Sequence, residues 1–385
     1  MKTVFRLTLW FIGILLMPGL QAATTQGPLV LGAERMDVIT RLLKDKQVGL
    51  VINQTSILEK QQKHLLDALV EKGIQVKKVF APEHGFRGTA DAGEEVKDSR
   101  DLKTGIPIVS IYGKNKKPTA EQLNGLDVIV FDIQDVGARF YTYISTMHYV
   151  MEACAENGVE FIVLDRPNPN DFVDGPIRQK GFESFVGVDP IPLLHGLTVG
   201  ELAWMINSEG WLKSSPDSCK LHIVKMENWK HGDPYWLPVK PSPNLPNDQS
   251  IRLYPSLCFF EATNVSVGRG TYYPFQVIGY PDRKYGDFAF TPVSLPGFDT
   301  NPLQKDKECY GIDLREYPFE GGLTLRFFLD FYNKAGNEQA FFYKKRIRCL
   351  ICGQLFIGTR RYKPTSRATL RLNFIPLIAK PPFLS

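Results

Sequence analysis

The segment "DVIVFDIQDVGARFYTY", residues 127–143, begins as a strand and ends as a polar loop. Its first residues are rich in Val and Ile, as a strand buried on both faces of a parallel sheet must be. Four similar runs surround it: "VGLVIN" (48–53), "VKKVF" (76–80), "PIVSIY" (107–112) and "EFIVLD" (160–165). Helical segments fall between them. In "ISTMHYVMEACAENG" the residues Ile144, Met147, Met151 and Cys154 recur at spacings of three and four, and Asn157-Gly158 supplies a stop. Thr198 opens another helix through the capping box "TVGE", closed by Glu201. Strands alternating with helices over short connections specify an α/β fold. A Rossmann-like parallel sheet domain is expected, followed by a smaller α+β C-terminal domain.

The ends of the chain read differently from its body. Lys2 and Arg6 precede the apolar run "LTLWFIGILLM", and "LQAAT" offers small residues for cleavage, so residues 1–23 read as a secretory signal peptide. The run is too short for an integral membrane span, and the mature protein is expected in the periplasm or outside the cell. The Rossmann-like catalytic domain is placed at 24–245, ending at the proline-rich "PSPNLPNDQS", which reads as a linker or long loop. The smaller α+β domain is placed at 246–342. Residues 343–385 form an atypical basic tail without a single acid, for which a frameshifted or altered C-terminus is preferred over a genuine basic appendage.

Charge and cysteine usage exclude several functions. The formal charge is +5, but the leader and the stretch after 340 account for twelve basic residues and no acids, leaving 34 basic against 41 acidic residues in the body. An acidic body argues against a nucleic-acid partner. The six cysteines are scattered and form no disulfide scaffold; Cys154 reads as a packed thiol in a helical stripe. Cys349-x-x-Cys352 has no second pair of ligands, so it points to neither a metal nor a redox site.

Polar clusters follow the strands. "PEHGFRG" comes after the second run, "QDVGARFYTY" after the fourth and "DRPNPND" closes the fifth, so in a parallel sheet all three converge at one edge. No G-x-G-x-x-G or G-x-x-x-x-G-K-[ST] cradles a phosphate, and no G-x-S-x-G or H-E-x-x-H is present; no cofactor or metal is expected. What the edge does carry is carboxylates: Glu83, Asp91, Glu94, Glu95, Asp132, Asp135 and Asp165. Paired carboxylates, one protonated and one ionised, are what glycosidic cleavage requires. Arg87, Arg139 and Arg166 suit a substrate carboxylate, and Phe86, Tyr141 and Tyr143 suit a sugar ring. Among the acids Glu83 stands out, because Pro82 fixes the chain before it, Gly85 lets it turn, and His84 adds a titratable neighbour. Acids such as Asp91 and Glu95 read as loop charges, Asp127 reads as structural, and Asp165 reads equally as a site carboxylate or as a structural group that pairs with Arg166 or caps the next turn.

Seven motifs in order, "APEHGFRG", "DAGE", "FDIQDVGARFYTY", "VLDRPNPN", "LLHGLTVGELA", "PSPNLP" and "FFEATNVSVGRGT", resemble the exo-β-N-acetylmuramidases of the NamZ family from about residue 48 to about 340. That resemblance implies an exported glycoside hydrolase that removes N-acetylmuramic acid from the non-reducing end of peptidoglycan fragments, in a cleft between two domains. It implies catalytic roles for Glu83, as general acid/base, and Glu94, as second carboxylate. It implies substrate contacts from His84, Arg87, Asp132, Asp135, Arg139, Tyr141, Asp165, Arg166, Asn168, Glu261, Asn264 and Arg269. One of Arg87, Arg139, Arg166 or Arg269 would hold the lactyl carboxylate that distinguishes muramic acid. Attack by the substrate's own acetamido group and attack by a protein carboxylate both remain open. The reading from a different class is a non-catalytic muropeptide or sugar binder using the same cleft.

Overall fold

The computed structural model describes residues 27–83, 85–86, 99–213 and 218–342. The leader, the basic tail, and with them His84, Arg87 and Glu94, lie outside the described residues.

A seven-stranded sheet is built from β1 (Gln47–Ile52), β2 (Gln75–Ala81), β3 (Ser99–Arg100), β4 (Pro107–Ser110), β5 (Val128–Asp132), β6 (Glu160–Leu164) and β7 (Leu221–Val224). Across the sheet the order is β7-β6-β5-β1-β2-β4-β3, and every pairing is parallel except that of the short edge strand β3 with β4. Counting only the parallel strands, the spatial order is 3-2-1-4-5-6, the doubly wound arrangement of a Rossmann fold. Five of these strands are the apolar runs seen in the sequence; β7 is an addition.

Side-chain alternation assigns the two faces. Val128 and Val130 of β5 join the apolar cluster under α1 (Met36–Leu43) and α2 (Leu65–Glu71). A short α3 (Ala120–Leu123) follows β4. Ile129 and Phe131 point the other way, into the cluster under α4 (Tyr143–Asn157) and α5 (Val199–Ser208). Both faces of β5 are therefore dry, and each fully buried side chain such as Phe131 contributes about 1.5–3 kcal/mol. Helix α4 stops where the sequence predicts, with Gly158 in the left-handed region at φ 67°. Helix α5 starts at the predicted box, Thr198 Oγ1 accepting from Glu201 N and Glu201 Oε2 from Thr198 N. Cys154 is buried in α4, as read.

Beyond residue 245 lie α6 (Asp248–Leu257), an antiparallel sheet ordered β8 (Val277–Tyr280), β10 (Cys309–Asp313), β9 (Phe288–Phe290), and α7 (Arg326–Ala335). This is the smaller α+β part. The apolar cluster beneath α4 and α5 continues without a break into Phe259, Phe260, Phe328, Phe331 and Phe341. Helix α6 contains Pro255, which has no N–H to give the Ile251 carbonyl four residues back. The amide of Asn170 donates to that carbonyl at 3.0 Å, and to Val136 O at 2.9 Å.

Residues 241–245, read as part of a linker, are buried. Pro241 and Pro243 carry no N–H that burial would orphan, and the Pro241 carbonyl accepts from Gln54 Nε2 at 3.0 Å and from the Tyr143 hydroxyl at 3.3 Å. This proline-rich stretch forms a wall of the cleft described next.

Candidate active site

A cleft at the carboxyl edge of the sheet is lined by Glu83, Phe140, Tyr141, Thr142 and Tyr143 from one side and by Ser242, Asn244, Leu245, Tyr254, Arg269 and Phe275 from the other. Glu83 stands just past β2. Pro82 O accepts from Gly85 N at 3.0 Å, and Gly85 takes φ 74°, so the turn that carries Glu83 outward has the proline and glycine it needs.

Two hydroxyls hold the Glu83 carboxylate. Tyr112 donates to Oε1 and Thr142 to Oε2, each at 2.8 Å. Burial, together with the charge of Glu83 and this hydrogen bond, pushes the Tyr112 phenol well above its ordinary value, so it stays a neutral donor. Thr142 immediately precedes α4 and caps no backbone N–H there, which leaves its hydroxyl for Glu83. The Tyr143 hydroxyl adds a long contact of 3.5 Å to the Glu83 carbonyl. Tyr112 and Thr142 did not stand out in the sequence: one is the last residue of an apolar run, the other a small polar residue before a helix.

The opposite wall carries the cation. Arg269 gives Nε and Nη2 to Glu261 Oε1 at 2.9 and 2.6 Å, and its guanidinium lies 5.2 Å over the Phe275 ring. Its Nη1 is buried and has no acceptor among the described residues. Asn244 spends Nδ2 on Phe298 O at 2.9 Å, while its Oδ1 is buried without a donor among the described residues. The cleft is thus lined by a carboxylate, a guanidinium and an amide among aromatic rings. Phe275 sits in the left-handed region at φ 57° although it is no glycine, held by its N–H to Val267 O at 2.7 Å; strained backbone of this kind concentrates where a side chain must be aimed.

Other sequence candidates are occupied within the protein. Asp132 and Arg166 form a fully buried pair, with Arg166 Nε 2.6 Å from Oδ1 and Nη2 3.0 Å from Oδ2, and Nη2 also donates to Ile57 O at 3.1 Å. With Ser56 bonded to the Asp132 carbonyl, this pair sits at the carboxyl ends of β1 and β5, the place where a doubly wound sheet usually receives its ligand. Asp135 Oδ2 accepts from Gly137 N at 2.7 Å and lies 3.3 Å from His195. Arg139 Nη1 donates to Pro176 O and Ile191 O, and burial, with Arg178 close by, lowers its pKa to about 10. Asn168 bonds Leu197 O and Asn170 N, and Asn264 bonds Ala340 O. Asp165 accepts from Gly200 N, Thr198 Oγ1 and Arg166 N at the start of α5. Burial nevertheless pushes its carboxyl up to about 7. Asp127, read as structural, accepts from Gln47 N at 2.7 Å. Of the predicted residues that are described, the structure brings Glu83, Tyr141 and Arg269 to the cleft, with Glu261 behind Arg269.

The matching relatives bear on the same region. Residues 48–249 match the family model "Exo-beta-N-acetylmuramidase NamZ, N-terminal", and residues 252–353 match its C-terminal counterpart. Peptidoglycan beta-N-acetylmuramidase NamZ of Bacillus subtilis (strain 168) is 47% identical over 264 residues, which is 66% of this chain and 62% of that protein. The aligned part therefore spans about three fifths of that relative's length. Two crystal structures of DUF1343 family proteins from Bacteroides fragilis NCTC 9343 share the fold. One has TM-score 0.75 and 41% identity, covering 85% of this chain and 92% of that one. The other has TM-score 0.73 and 31% identity, covering 86% and 91%. With both family segments matched in order on this doubly wound scaffold, the chain belongs to the exo-β-N-acetylmuramidase NamZ family.

Proposed function

We propose that the protein is an exo-acting β-N-acetylmuramidase, a glycoside hydrolase that releases N-acetylmuramic acid from the non-reducing end of peptidoglycan fragments. The observation that carries this reading is the Glu83 carboxylate, gripped by Tyr112 and Thr142, in a cleft that Arg269 also lines. Glu83 serves as general acid/base on the glycosidic oxygen, with Glu94 as the second carboxylate. Arg269 takes the lactyl carboxylate of the terminal sugar, and its pairing with Glu261 fixes the fork for that contact. Asn244 Oδ1 suits the N–H of the 2-acetamido group, and the rings of Tyr141, Tyr143 and Tyr254 suit the apolar face of the pyranose. The basic-then-apolar leader supports export, which brings the enzyme to its polymer.

The test is Glu83→Gln, a substitution that preserves shape and removes the ionisable group. Release of N-acetylmuramic acid from a chromogenic β-N-acetylmuramide should fall by about 1,000-fold or more with an unchanged circular dichroism spectrum. Near-normal turnover would sink the assignment of Glu83. Binding of the muramide by the wild-type chain without any release would instead favour the non-catalytic binder.

A further inference from the structure

A second cavity, of about 400 Å³, lies between α5, the edge strand β7 and the loop that follows it, and shares no lining residue with the cleft. Its volume falls within the range of small-molecule sites, roughly 300–1,000 Å³. Trp204 and Trp229 both line it, and Trp204 is 39% exposed. The indole N–H of Trp229 is buried and has no acceptor among the described residues.

The charges around this cavity are unevenly spent. His231 Nδ1 lies 2.7 Å from Asp171 Oδ1 and Nε2 lies 3.0 Å from Glu201 Oε1. Hydrogen bonds to those two carboxylates raise the imidazole to about 10, so at neutral pH the ring is a cation held between two anions. The side chains of Lys225 and Lys230, which also line the cavity, have no hydrogen-bond or ion-pair partner among the described residues. A complementary ligand has a flat apolar face for indole, an acceptor for the Trp229 N–H, and a carboxylate for the ammonium groups. A pyranose bearing a carboxylate has all three.

We infer that this cavity is a second saccharide site, which holds a carboxylate-bearing sugar of a glycan strand outside the catalytic cleft. The polymer's identity rests on the muramidase reading; the site's existence is read separately, by binding. The probe is peptide-free glycan strands immobilised on beads, with retention of the full chain measured beside its turnover of the small chromogenic muramide. Trp204→Ala, and separately the double substitution Lys225→Glu/Lys230→Glu, should each cut retention about tenfold. Turnover of the chromogenic muramide should stay within about twofold of wild type, since a separate site leaves the cleft alone. Amidating the strands' lactyl carboxylates should reproduce the retention loss in the wild-type chain. Unchanged retention in both variants overturns the proposal, as does parallel loss of retention and turnover, or retention that requires attached peptide. If the wild-type chain has no turnover but the variants still lose retention, the muramidase reading fails and the saccharide site stands.

Discussion

The Oε2 atom of Glu83 lies 2.8 Å from the Oγ1 atom of Thr142, the residue from which the fifteen-residue helix α4 departs. A loop that ends β2 is thereby fastened to a helix buried along most of its length. Removing this hydroxyl, or that of Tyr112, leaves the carboxylate held at one oxygen instead of two. Thr142→Val and Tyr112→Phe should each lower kcat about 10- to 100-fold with little change in KM, as expected for one hydrogen bond to a charged group. Steady-state kinetics on the chromogenic muramide measure this; a rise in KM at constant kcat would assign the hydroxyls to substrate binding instead.

Arg269 predicts selectivity. Its guanidinium is the cation that the described cleft presents with a nitrogen to spare, and Lys has no fork with which to bond Glu261 and a ligand together. Arg269→Lys should shrink the ratio of inhibition by free N-acetylmuramic acid over N-acetylglucosamine about tenfold. An unchanged ratio would mean that the lactyl group is held elsewhere.

Asn170 predicts stability. It satisfies the carbonyl that Pro255 leaves open in α6 and the carbonyl of Val136, both by side-chain N–H. Asn170→Ala should cost about 2–4 kcal/mol, since buried acceptors lose their donor. Adding Pro255→Ala returns a backbone N–H to Ile251, so the double variant should recover part of that loss in urea unfolding. Strict additivity would refute the link between the two residues.

Asp165 predicts a pH dependence. Its carboxyl is raised from the ordinary range near 3.8 to about 7 by burial, with Gly200 N–H and the Thr198 hydroxyl pulling the other way. The folded state then binds more protons than the unfolded state between those values, so this residue's contribution to stability falls as pH rises from about 4 to about 7. Relative to Asp165→Asn, the wild-type chain should lose about 2–4 kcal/mol over that window and change little above it. Parallel stability curves for the two proteins would contradict this.

Much of the scaffold is legible in the residues themselves. Dry parallel strands must be short and apolar, so β1, β2, β4, β5 and β6 announce themselves, whereas β7, "LHIV", is four residues with an exposed histidine at the sheet edge. Glu83 is legible because its turn needs Pro82 and Gly85. Asp132 and Arg166 mislead, because a sequence displays a charge without its partner, and here each charge is the other's. Tyr112 and Asn244 stay hidden for a different reason: they reach Glu83's cleft from segments that read as a strand end and a linker, and only the folded chain brings them there.

The uninterrupted core beneath α4, α5 and the aromatic side chains around α7 has a mechanical meaning for the cleft above it. Two walls that share one close-packed interior cannot swing apart like jaws. On the muramidase reading, the sugar would meet a cleft whose shape is already set when it arrives.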